Sequence, residues 1–93
     1  MKKRTYASVW DAIEDSPETA ASMRVRAELM IAVQRYVETS AETQTQAAKH
    51  LGLTQPRLND LLRGRIEKFS LDALVNMLAR VGRQVAVKVK TAA

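Results

Sequence analysis

Cysteine is absent from the 93 residues. No disulfide can staple the fold, and thiolate metal sites and cysteine nucleophiles are excluded. His50 is the single histidine, which leaves too few ligands for a metal site, and a partly exposed helical position suits it better. Aromatic residues make up 4% of the chain, so the core has to be built from Leu, Val, Ala, Ile and Met. With three glycines and two prolines, each of them punctuates the chain at a defined point. No apolar run approaches the roughly 18 residues of a membrane span. The basic opening Met1-Lys2-Lys3-Arg4 is followed by no apolar segment, so a secretory signal is not expected and a cytoplasmic, nucleoid-associated location is. Glu14, Asp15 and Glu18 lie close in sequence but no nucleophile or base accompanies them. They read as an acidic surface, and neither an enzyme nor a cofactor is expected.

What remains is a globular composition, 46% hydrophobic and 27% charged. The length suits one domain, taken as residues 1–93, with 1–15 as a basic arm and short helix and 84–90 as a terminal strand. So small a core often gains stability by pairing with a second copy. The net charge is +5, which favours an anionic partner. Its distribution is more informative. Residues 5–42 carry three basic and seven acidic side chains, whereas residues 43–93 carry nine basic and three acidic.

Ser8–Ile13 has the pattern of one helical turn that tucks Trp10 and Ile13 against the domain. Ser16-Pro17-Glu18 then announces a helix: a capping hydroxyl, a proline suited to the first helical position, and an acid at the positive end. Met23, Ala27, Met30, Val33 and Val37 follow at three-to-four spacing, predicting a helix over about 17–38 with this stripe in the core. Thr43 can cap a helix over 44–51 ended by Gly52. Thr54 can cap another that runs to about Leu62, with Pro56 in its first turn. Ser70 can cap a fourth helix, over 71–81, with Gly82 after it, and Phe69 anchors its approach. The period then changes to two. Val85, Val87 and Val89 alternate with Gln84, Ala86, Lys88 and Lys90, which predicts a strand that has to pair with the N-terminal segment, the same strand of a second copy or another protein.

The segment 44–63, QTQAAKHLGLTQPRLNDLLR, carries the most information. Counted from Gln44, the small residues Ala47 and Ala48 fall at four and five and Gly52 at nine. Leucines fall at eight, ten, fifteen and eighteen, namely Leu51, Leu53, Leu58 and Leu61. A sharp turn between two helices needs the glycine, a close crossing needs the small residues, and the leucines fix the pair to a core. This is the pattern of a DNA-binding helix-turn-helix. Over about residues 24–82 it resembles the Xre, or Cro/repressor-like, regulators. With the opening SVWDAIEDSPETAASMRVRAELMIAV, the core TQPRLNDLLRG, FSLDALVNMLARVG and the alternating tail, the chain is similar to small antitoxin-like members of the HigA type.

That resemblance implies a λ-repressor-like, mainly α fold of four to five helices with a short C-terminal β-strand. It also implies a homodimeric repressor on a palindromic operator in double-stranded DNA, or an antitoxin acting mainly by masking a RelE-like toxin ribonuclease. Two departures stand out. Glu42 occupies a place often hydrophobic in the family, and Asp60 puts an acid on the helix expected near DNA.

The second helix of the motif should enter the major groove first-turn foremost. Gln55 can then pair with adenine, Arg57 with guanine, and Pro56 can touch a thymine methyl, while Asn59 can also read a base. A plain solvated face is the alternative for this set, and Arg57 could equally bind phosphate. Gln44 and Thr54 open helices, whose free amides suit phosphates. Arg63, Arg65, Lys68 and Ser70 can flank the DNA backbone or form a solvated basic loop. Asp60 could accept from a cytosine amino group or pair with Arg57 or Arg63. Val85, Val87 and Val89 are the expected dimer strand.

Overall fold

The computed structural model describes residues 17–91. The basic arm and the helical turn expected around Trp10 lie outside that range. Four helices and a 3-10 turn make up the described chain: α1 (Pro17–Thr39), α2 (Gln44–Leu51), α3 (Gln55–Leu62), the turn Ile66–Lys68 and α4 (Leu71–Arg80). The fold is all-α and consistent with a helix-turn-helix domain.

Each short helix starts on a hydroxyl. Thr43 accepts from the Gln46 amide at 3.1 Å, and the Gln46 side chain accepts from the Thr43 amide at 3.0 Å, closing a reciprocal capping box. Thr54 accepts from the Arg57 amide at 3.3 Å and Ser70 from the Ala73 amide at 3.1 Å. The α2 helix ends where Gly52 enters the left-handed region at φ 77°. The Leu53 amide then folds back to the Ala48 carbonyl at 2.8 Å, the hydrogen bond that a glycine stop makes possible.

The core forms where these helices meet. On α1, Met23, Met30 and Val33 are buried, and Ala27 and Val37 pack against them, so the expected stripe does face inward. Leu51, Leu58, Leu61, Phe69 and Leu74 are all almost fully enclosed. Each buried leucine contributes about 1.5–3 kcal/mol. The α1 helix packs along α4 and also meets α3 and the 3-10 turn, while α2 packs on α3 and α4. Gln34 of α1 donates to the Leu61 carbonyl at 2.8 Å, tying the long helix to the end of α3.

Glu42 also has a local explanation. Its carboxylate accepts from the Tyr36 hydroxyl at 2.8 Å and pairs with His50. It thereby joins the end of α1 to the end of α2 by polar contacts instead of an apolar one. The hydrogen bond to Glu42 chiefly raises the Tyr36 phenol above its ordinary pKa, and desolvation and the Glu42 charge add to this, against the lowering effect of Arg83.

The tail differs from expectation. No strand forms among the described residues. Val85 packs against the core, but Val87 and Val89 are 82% and 89% exposed. The physical reason is that a ladder needs a second extended segment, and the described residues supply none. The 3-10 turn at Ile66–Lys68 was not foreseen. It brings Ile66 into the core, with the turn packed against α1.

Gly52 is doubly constrained. A Cβ there would lie 2.8 Å from Arg80 Nε, which itself donates to the His50 carbonyl at 3.2 Å. A Gly52→Ala variant therefore loses about 1–3 kcal/mol through left-handed strain and displacement of Arg80. Urea unfolding monitored by circular dichroism should show the lower midpoint; an unchanged midpoint would contradict this account of the turn.

Candidate nucleic-acid interface

The α2–α3 pair is fixed by small side chains where it touches and by leucines behind it. Ala47 and Ala48 are buried at the crossing, which lets the backbones approach. Leu58 and Leu61 turn the inner face of α3 into the core. The opposite edge of α3 is consequently left facing outward. Gln55, Pro56 and Asn59 are exposed, so three of the four expected base-reading residues share the free edge of α3.

Arg57 is placed differently. It is half-buried, its guanidinium lies 4.3 Å from the centroid of the Phe69 ring, and Nη1 donates to the Lys68 carbonyl at 2.9 Å. Arg57 thus turns from the outer edge of α3 toward the segment that leads into α4. Planar stacking and directional donation are what a guanidinium offers and an ammonium does not.

The residues expected at phosphates fall into two groups. Gln44 and Thr54 open α2 and α3 and are exposed. The amide donors of a helix's first turn have no partners within the helix and suit an anion. The Thr54 and Ser70 hydroxyls accept from their own helices, yet each keeps a proton to donate. The second group, Arg63, Arg65 and Lys68, is exposed after α3.

Asp60 is corrected by the structure. It pairs with neither Arg57 nor Arg63 but stands 3.8 Å from both Arg65 and Lys68. The reason is geometric. At Gly64, φ 74° turns the chain back, and the Arg65 amide bonds to the Asp60 carbonyl at 3.0 Å, which returns residues 65–68 past the same face of α3. These are partly exposed pairs, worth at most about 1 kcal/mol each, but they partly neutralise two cations of the basic surface. The shared grip of Arg57 and Asp60 on this segment was not anticipated, although their i, i+3 spacing places them on one helical face.

A 410 Å³ cleft between the turn and α4 is lined by Leu53, Thr54, Arg57, Asn76 and Arg80 among others. Among the described residues, no group of three or more His, Cys, Asp or Glu could hold a metal ion. No described helix is long and apolar enough to cross a membrane.

A capped helix pair with a left-handed glycine turn, leucines inward and a polar edge outward defines a helix-turn-helix domain of the DNA-binding class. Comparison with known families agrees: the helix-turn-helix domain family matches residues 12–90, and the chain belongs to that family. No curated protein matches the sequence.

Proposed function

We propose that this protein is a sequence-specific DNA-binding transcriptional regulator of the Xre type, with residues 1–93 acting as one unit that represses from a palindromic operator as a homodimer. The observation that carries this reading is the exposed edge of α3. Gln55, Pro56 and Asn59 project from a helix whose opposite face is locked into the core by Leu58 and Leu61. Gln55 and Asn59 carry amides able to pair bidentately with adenine, and Pro56 offers an apolar surface to a thymine methyl. Arg57 reaches a guanine only by releasing the Lys68 carbonyl. Phosphates are met by the helix openings at Gln44 and Thr54 and by Arg63, Arg65, Lys68 and Ser70. Each phosphate neutralised steepens the salt dependence of binding by about 0.9 in log–log slope.

Two recognition helices have to sit about 34 Å apart to enter successive major grooves. The exposed Val87 and Val89, continuous with the half-buried Val85, supply one means of holding two copies together. Antiparallel pairing with the same segment of a second copy would complete the ladder that the described residues lack.

A second reading is an antitoxin that masks a basic toxin ribonuclease. It is favoured by the acidic surplus of residues 5–42 and by Val25 and Ile31, each 47% exposed on α1, since charge complementarity around apolar contacts suits such a partner. The two roles are compatible.

In gel shifts against a duplex selected from a random library, the double variant Gln55→Ala/Asn59→Ala should lose its preference over a scrambled duplex while retaining weak binding to both. Unchanged discrimination would refute the assignment of these reading residues. The mass of the complex purified from its native cells addresses assembly. A two-chain mass that falls to one chain on deletion of residues 84–93 is expected. A dimer that survives the deletion contradicts the strand, and an additional basic subunit supports the second reading.

A further inference from the structure

We propose that Arg57 is a positioning residue for the phosphate-facing segment 65–70, acting through Lys68 and Phe69 and not through a base. The inference rests on the DNA-binding reading above and deepens it. Three observations converge on it. The guanidinium is stacked on the Phe69 ring, which is only 1% exposed and therefore fixed in the core. Its Nη1 donates to the Lys68 carbonyl at 2.9 Å. Asp60, one turn further along α3, faces the side chains of Arg65 and Lys68 from the same helix.

The segment these residues hold is short and consequential. Lys68 ends the 3-10 turn, its amide donating to the Arg65 carbonyl at 3.0 Å. Phe69 is the extended residue after that turn, and Ser70 caps α4. Three of the residues proposed to meet phosphate therefore lie within one or two residues of a contact made by α3. A guanidinium that both stacks and donates fixes the height of this segment relative to the reading edge. Asp60, on the same face of α3, adds weak pairing to its side-chain cations. The recognition helix and the backbone-binding loop then present themselves to a duplex as one rigid surface, which lowers the ordering cost on binding.

This assignment differs from base reading in what its loss would do. A base reader supplies discrimination, whereas a positioning residue supplies affinity for every sequence alike. Arg57→Lys preserves the charge and removes the planar fork and much of the stacking. Arg57→Ala removes all three.

The test compares wild type, Arg57→Lys and Arg57→Ala in two measurements. The first is amide hydrogen exchange of the free protein at Lys68, Phe69 and Ala73. The second is affinity for a library-selected duplex and for a scrambled duplex of the same length. Faster exchange at those amides in both variants is expected. Affinity for the two duplexes should fall by a similar factor, about tenfold for Arg57→Ala, with their ratio preserved. Exchange unchanged from wild type would overturn the proposal, as would a collapse of the ratio with affinity for the scrambled duplex intact. If wild type bound neither duplex, the DNA reading itself would fail, while the exchange measurement would still decide whether Arg57 holds the segment.

Discussion

The left-handed turn at Gly52 sets the angle between α2 and α3, and the rest of the surface depends on that angle. The turn is held from three directions. The Leu53 amide bonds back to the Ala48 carbonyl, the buried Ala47 and Ala48 allow close approach, and Arg80 reaches from α4 to the His50 carbonyl beside the glycine. Because Leu58 and Leu61 commit one side of α3 to the core, rotation of that helix is not free. The polar edge at Gln55, Pro56 and Asn59 faces outward because the apolar residues leave it no other place. An exposed polar edge on α3 is thus produced by packing alone.

Polar groups on this surface are used in layers. Capping hydroxyls at Thr54 and Ser70 satisfy helix amides with their lone pairs while keeping a proton to donate outward. Arg57 and Asp60 turn sideways and hold the loop after α3. The remaining cations extend into solvent, where attraction to any anion is screened by salt. Asp60 moderates this positive field at Arg65 and Lys68.

Much of this was legible in the sequence because local chemistry and global packing agree. Thr43, Gly52, Thr54 and Ser70 announced the helix ends, and the structure places α2 over the expected residues. The leucine spacing gave the inner face, and the Met23–Val33 stripe gave the buried side of α1. The illegible parts are those set by tertiary contact. The 3-10 turn at Ile66–Lys68 has no side-chain cap at its start, and its existence depends on Ile66 finding the core. The sideways course of Arg57 depends on where Phe69 sits, which spacing alone does not reveal. The tail shows a limit of another kind. Alternation at Val85, Val87 and Val89 encodes a face, but a strand is a property of two segments, and the described residues hold only one.

If the edge of α3, the helix openings and the loop behind it form one surface fitted to a duplex, DNA will touch all three together. Backbone amide chemical shifts of the full chain, followed during titration with a library-selected DNA duplex at low salt, test it most directly. Perturbations are expected at Gln44, across residues 54–59 and across residues 63–70, with the outer face of α1 around Val25 and Ile31 unaffected. Shifts concentrated on α1, or none at saturating duplex, would contradict it.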